Sequence, residues 1–171
     1  MKLKLSEIAS IAEVIGAVAI VISLVYVGVQ VTGSTRAVRS ATANETYAAL
    51  SSWYAQMGTN REASHNFWNG MTNPESLSPE ELFQYVMATH AVILEYQAAY
   101  YLAQEGTLDV ELQESIFNTL LGIREQPGFL LYWEQRRDLF KADFRRVIDE
   151  MMVGGTTNAN VQRVYQPREL E

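Results

Sequence analysis

The sequence predicts an all-α protein in which a single N-terminal transmembrane helix is followed by a membrane-proximal helical bundle. Three observations indicate this: an uncharged apolar run, later apolar residues that recur at spacings of three and four, and helix start and stop residues between those segments. We expect a transmembrane anchor over residues 1–33, a helical bundle domain over residues 34–153 and a polar C-terminal tail over residues 154–171.

Composition limits the class of protein. A chain of 171 residues fits one domain, and 48% hydrophobic residues are too many for a disordered chain. The absence of cysteine excludes disulfides, cysteine-ligated metal sites and cysteine nucleophiles. With 13 Lys and Arg against 20 Asp and Glu, the net charge of −7 argues against a nucleic-acid partner, because binding to phosphates needs a basic surface.

The strongest signal is the apolar run over residues 14–31, and no charged residue occurs from Val14 to Thr35. As a helix, 18 residues rise about 27 Å, close to the roughly 30 Å of a bilayer's hydrocarbon core. A cleaved signal peptide and the core helix of a soluble protein are the alternatives. The small-x-small sequence at residues 41–43 lies ten residues beyond the run, which is too far for a signal-peptide cleavage site. We therefore predict a retained single-pass span in a lipid bilayer.

The orientation of this span is nearly balanced by the positive charges that flank it. Lys2 and Lys4 precede the span, and Arg36 and Arg39 follow it. The terminal amine shifts the count slightly toward a cytoplasmic amino terminus. We expect the C-terminal domain to lie outside the cytoplasm.

Small residues form one stripe along the span, at alternating spacings of three and four. They let two helix backbones approach closely, and close approach drives association where lipid is as apolar as the helices. The alternative is chance, since small residues are common in membrane helices. We predict a helix-packing face whose partner is another copy of this chain or a different membrane subunit. Its members are Ala9, Ala12, Gly16, Ala19, Ser23, Tyr26 and Gln30.

The same spacing continues beyond the span. No proline occurs between Met1 and Asn73, so one helix would reach about Met57 if Gly33 only weakens it. A shorter helix is expected between Asn60 and Gly70. Residues 78–81, Ser-Pro-Glu-Glu, combine a cap, a first-turn proline and a capping-box glutamate, which predicts a helix from Pro79 to near Gly106.

Two further helices follow. Asp109 can cap the first, and we expect Pro127-Gly128 to end it before a short aromatic segment. The second should end at Gly154-Gly155, with Arg145–Asp149 and Arg146–Glu150 as charge pairs on its surface. The apolar face of the first comprises Leu112, Ile116, Phe117, Leu120 and Ile123, and that of the second Phe140, Phe144, Val147, Ile148, Met151 and Met152.

Three segments carry a resemblance: STRAVRS at residues 34–40, PGFLLYWEQRR at residues 127–137 and FKADFR at residues 140–145. Together with the span, they resemble a group of small bacterial membrane-anchored helical proteins with no known activity. The resemblance covers most of the chain up to about Met152. It implies a bacterial cell membrane and a membrane-anchored helical architecture.

The sequence contains few candidates for catalytic chemistry. The sequence has no glycine-rich phosphate loop, no Gly-x-Ser-x-Gly elbow and no His-Glu-x-x-His motif. Glu62 and His65 have the spacing of a di-iron half-site, but such a site needs a second pair, and His90 has Met87 three residues before it. We predict no catalytic residue, metal or cofactor, and a protein that is not an enzyme.

Interior polar residues suggest a second kind of site. His90 and Glu95 lie about 140° apart around a helix, so we expect each to bond separately to a neighbouring helix. Glu95, Gln97 and Tyr100 could instead contact a ligand. The favoured hypothesis is a non-enzymatic, membrane-anchored protein that forms a homo-oligomer or serves as an accessory or scaffold subunit of a larger membrane complex. The alternative is a membrane-tethered sensor or small-ligand-binding helical bundle.

Overall fold

The computed structural model describes the chain from Leu5 to Gly154, with side chains from Ala9 onward. Contacts divide the chain into two units at Ala41–Thr42, eight residues after the predicted end of the anchor. Apart from Gly154, the predicted C-terminal tail lies outside the described residues.

Helices account for nearly all of the described chain, which contains no strand, as the sequence predicts. Helix α1 continues through Gly33, in agreement with the absence of proline. Short 3-10 turns occupy Pro74–Ser76 and Arg137–Leu139. The helices are α1 (Leu5–Thr59), α2 (Arg61–Thr72), α3 (Pro79–Gln104), α4 (Val110–Phe117), α5 (Leu120–Ile123), α6 (Pro127–Arg136) and α7 (Ala142–Val153).

Side-chain caps start three of these helices. Asn60 accepts hydrogen bonds from the N–H groups of Glu62 and Ala63 at the start of α2. Ser78 and Glu81 form the predicted capping box of α3, and Asp109 caps α4 as predicted. These caps satisfy N–H groups that have no partner within their own helix, so local sequence determines where the helices begin.

Helix α3 is central to the core of the second unit, because seven of its side chains are buried. A chain of aromatic rings packs beside it: the ring centroids of Trp133 and Phe140 lie 5.5 Å apart, and those of Phe140 and Phe144 lie 5.6 Å apart. At the carboxyl end of α1, Trp53 donates its indole N–H to the Ala88 carbonyl of α3 over 2.9 Å. Aromatic packing and this hydrogen bond therefore join α1, α3, α6 and α7 within this unit.

The backbones of α2 and α6 approach almost to contact. A Cβ added at Gly128 would lie 1.9 Å from the Gly70 carbonyl oxygen and 2.7 Å from the Tyr85 hydroxyl. A Cβ added at Gly70 would lie 2.3 Å from the Tyr85 ring. Only glycine fits at these two positions.

The prediction that Pro127-Gly128 ends a helix is wrong. Helix α5 ends at Ile123, and Pro127 is the first residue of α6. A proline fits the first turn because its missing N–H would have no partner there. The aromatic segment that follows is therefore helical.

The single helix predicted after Asp109 is divided in two. Thr119 bonds the Ile116 carbonyl through both its N–H and its hydroxyl, at 3.2 and 2.8 Å. The Thr119 hydroxyl also lies 2.6 Å from the Tyr96 hydroxyl of α3. These i to i+3 bonds tighten the chain and redirect it between α4 and α5. The division thus coincides with a tertiary contact.

Candidate functional site

The first candidate site is the surface of α1 from Ala9 to Ala41. Every side chain in this stretch is exposed, including Val14, Leu24 and Val29, of which about two thirds is accessible. A Cβ at Gly16 would meet nothing within 4 Å. By length and composition, this one helix of the described chain could cross a membrane. No described residue covers the stripe of seven predicted packing residues.

Two threonines just past the apolar run need no partner outside their own helix. Thr32 donates its hydroxyl proton to the Gly28 carbonyl over 2.9 Å, and Thr35 donates to the Val31 carbonyl over 3.0 Å. Hydroxyls bonded to the preceding turn are compatible with an apolar environment. Arg36 and Arg39 follow within two turns of the same helix and are exposed.

The second candidate site lies around His90 on α3, which is half-buried against α6. Its Nδ1 lies 2.8 Å from the Tyr132 hydroxyl, and its ring centroid lies 5.3 Å from that of Phe140. Burial raises the pKa of the Tyr132 hydroxyl well above its usual range, so the hydroxyl keeps its proton. Tyr132 can therefore donate to a neutral His90 ring.

Burial also lowers the pKa of His90 from its usual value, and the nearby Arg136 guanidinium adds to the effect. Because the unfolded chain binds this proton more readily, the contribution of His90 to the free energy of unfolding is complete above about pH 6.5 and is lost as the pH falls through the lowered pKa.

We expect His90→Gln to flatten the pH dependence of the free energy of unfolding between about pH 5 and pH 7, because it removes this titration. Urea unfolding at several pH values, followed by tryptophan fluorescence, measures the slope. A variant whose slope equals that of the wild type would contradict the assignment, whatever its absolute stability.

The other interior candidates do not converge on His90. The Gln97 Oε1 accepts the Lys141 N–H over 3.0 Å, and Glu95 lines a separate cleft that also includes Glu45 and Thr46. Tyr100 packs among aromatic rings, with its centroid 6.0 Å from that of Phe144. The four predicted polar contacts thus occupy different surroundings.

The Glu62 and His65 pair shows no metal-site geometry. The His65 Nε2 lies 2.9 Å from the Asn69 Nδ2, on the same helix. Among residues 5–154, no group of three or more His, Asp or Glu side chains is placed to hold a metal ion.

The predicted charge pairs on α7 are not the ones that form. Asp149 accepts the Trp133 indole N–H over 2.8 Å and pairs with Arg137 at 2.5 Å. Arg145 pairs with Asp138, and Arg146 pairs with Asp143. Asp149 is therefore a link between α6 and α7, because the buried indole N–H needs an acceptor. A tryptophan predicted to be buried therefore indicates that some acceptor lies near its indole N–H, but the sequence does not identify which residue supplies it.

Asn66 on α2 is a buried polar residue that no pattern in the sequence predicts. This amide is 7% exposed and donates to the Glu81 carbonyl and to the Gln84 Oε1, both at 3.0 Å. Its own Oδ1 has no hydrogen-bond partner. Asn66 lies in a polar stretch of sequence, and only the packing of α2 on α3 buries it.

Comparison of the chain with protein-family models, with curated proteins and with solved structures finds no match. The bacterial membrane group therefore stays a prediction from the segments quoted above.

Proposed function

We propose that this protein is a non-enzymatic, membrane-anchored helical bundle that assembles with copies of itself or serves as an accessory or scaffold subunit of a larger membrane complex. The observation that carries the proposal is that every residue of the apolar run of α1 from Val14 to Val31 is exposed. A surface of this size, without charge, is costly in water, and a bilayer removes that cost.

The distribution of side chains around this stretch supports a packing role. Val14, Val18 and Val25 suit lipid, whereas Gly16 and Ala19 belong to the stripe of small residues. Within lipid there is no hydrophobic driving force for two helices to associate. Close packing of the two backbones at small residues stabilises the pair instead. A second copy presents the same stripe, which makes a symmetric pairing the simplest assembly.

The orientation of the span and its location in a bacterial cell membrane are part of the same proposal. The proposal places the amino terminus in the cytoplasm, with Lys2 and Lys4 before the span balanced by Arg36 and Arg39 after it. The resemblance to bacterial membrane proteins supports a bacterial cell membrane. A reporter fused to the carboxyl terminus distinguishes the two orientations.

Membrane insertion is tested by washing membranes with alkaline carbonate. We expect the whole chain to stay in the pellet, because transferring an 18-residue apolar helix from lipid to water is prohibitive. The matched control places two arginines in the span, as Ile20→Arg with Val21→Arg, and should release the protein. A wild-type chain that appears in the supernatant would refute the anchor.

Assembly is tested on protein solubilised in mild detergent, by measuring the mass of the particle. A discrete particle larger than one chain supports a homo-oligomer or a complex, and the subunits identified in it distinguish these two forms. A monomer refutes assembly, and a monomer with a co-purified small molecule favours the sensor alternative.

A further inference from the structure

The part of α1 within the second unit carries two seven-residue repeats that are offset by one residue. Every member of the first repeat is buried or half-buried, so this face packs on the protein's own bundle. Every member of the second repeat is exposed, and it lies about 100° further around the helix. The bundle thus covers one face of α1 and leaves the next face open. The first repeat comprises Ala43, Thr46, Leu50, Trp53 and Met57, and the second Asn44, Tyr47, Ser51, Tyr54 and Gly58.

The open face borders a cleft of about 190 Å³ between α1, α3 and α4. Tyr47 and Tyr54 line it from α1, with Ser51 between them. Tyr96 and Ile116 line it from the bundle. About half of each α1 tyrosine is exposed, and no other tyrosine of the described second unit is classed as exposed. Such half-open rings are typical of protein interfaces, because they bury a large apolar area and keep a hydroxyl for a hydrogen bond.

The open face is uncharged although the unit around it is acidic. Residues 42–154 contain 16 Asp and Glu against seven Lys and Arg, so two copies of this unit repel each other over most of their surface. The described side chains that line the cleft carry no charge, whereas a different cleft on α1 is lined by Glu45 and Glu95. A surface that pairs with its own copy must avoid like charges, and the open face meets this condition.

The open face also continues the spacing of the stripe of small residues. Helix α1 is uninterrupted from the stripe to the tyrosines. A seven-residue repeat on one helix is followed by a partner helix that winds around it as a left-handed coiled coil. One partner helix can therefore follow both the stripe and the tyrosines. The residues that connect them are Gln30, Gly33, Ala37, Ser40 and Asn44, none of which is charged.

Two copies inserted into a membrane with the same orientation are parallel. In a parallel pair related by a two-fold axis, each residue of the repeat lies beside its own counterpart. Tyr47 and Tyr54 then pack against the same residues of the second copy. The small side chain of Ser51 lets the two backbones approach between these rings.

We propose that Tyr47, Ser51 and Tyr54 form the part of a homodimer interface that lies outside the bilayer, and that its partner is a second copy of this chain. The inference rests on the proposed membrane assembly and deepens it. It selects a second copy over a different subunit, and it extends the contact from the span to the bundle unit.

Cysteine cross-linking tests this contact, because the chain contains no cysteine and an introduced thiol is unique. Ser51→Cys places a thiol on the proposed axis. Ser52→Cys is the matched control, since Ser52 is the next exposed serine on the same helix and points about 100° away. We expect oxidation of membranes that contain the full chain to give at least about tenfold more disulfide-linked dimer with Ser51→Cys, because a disulfide needs Cα atoms within about 7 Å.

The mass of the wild-type particle in mild detergent separates failure of this contact from failure of the assembly. If the particle contains several copies but Ser51→Cys cross-links no more than Ser52→Cys, the assembly stands and the contact outside the bilayer is refuted. If the wild-type chain is a monomer and Ser51→Cys does not cross-link, both proposals are refuted.

A charge introduced on the axis gives a second, independent measurement. Ser51→Glu would place two carboxylates against each other and should raise the dissociation constant of the dimer at least about tenfold, whereas Ser52→Glu should leave it unchanged. The particle mass as a function of protein concentration gives both constants, and circular dichroism checks that each variant folds. Equal constants in two folded variants would overturn the proposal. If Ser51→Glu does not fold, the cross-linking comparison decides by itself.

Discussion

Gly128→Ala is expected to destabilise the second unit by at least about 3 kcal/mol. The added Cβ would lie 1.9 Å from the Gly70 carbonyl oxygen, which is backbone and cannot rotate away. Alanine favours a helix over glycine by at most about 1 kcal/mol, so the steric cost dominates. Urea unfolding of the full chain in detergent, followed by tryptophan fluorescence, gives the free energy of unfolding.

Gly58→Ala is the matched control for this change. Gly58 is also helical, but a Cβ there would meet nothing within 4 Å. We expect its effect to be neutral or stabilising by less than about 1 kcal/mol. If the two variants have the same free energy of unfolding, the backbones of α2 and α6 do not lie in contact at Gly70 and Gly128.

Gly16→Ile and Ala19→Ile are expected to separate the membrane assembly, with dissociation constants raised at least about tenfold. Each isoleucine would hold the facing backbones apart at the stripe of small residues. Both substitutions keep the span apolar, so insertion into the membrane should not change. The measurement is the mass of the detergent-solubilised particle as a function of protein concentration.

Val18→Ile is the control, since it adds one methylene on the surface assigned to lipid. Its particle should have the wild-type mass. If Val18→Ile separates the particle as completely as Gly16→Ile, or if neither change does so, the packing face has been assigned incorrectly.

Local features of the sequence were sufficient for much of the fold. An uncharged apolar run predicts a helix that could cross a membrane, and the structure leaves the described part of that run exposed. The capping box at Ser78 and the cap at Asp109 predict the starts of α3 and α4. These signals are readable because each depends on residues within one or two turns of a helix.

Local sequence misleads where one residue type can serve two roles. Pro127 begins α6 and does not end a helix, because proline is as well suited to a first turn as to a position after a helix end. The four-residue spacing predicts a pair between Asp149 and Arg145, yet Asp149 bonds Trp133 and Arg137. A surface pair is worth little energy, so a buried indole N–H outweighs it.

By itself, the sequence determined that the chain is helical, where α3 and α4 begin and that α1 has a stretch apolar enough for a membrane, because hydrophobic periodicity and capping act over short distances. Tertiary structure alone decided the approach of Gly70 to Gly128, the acceptor for Trp133 and the burial of Asn66 with an unpaired oxygen. These features join residues from separate helices, and no local pattern encodes which backbone or amide a given side chain will meet.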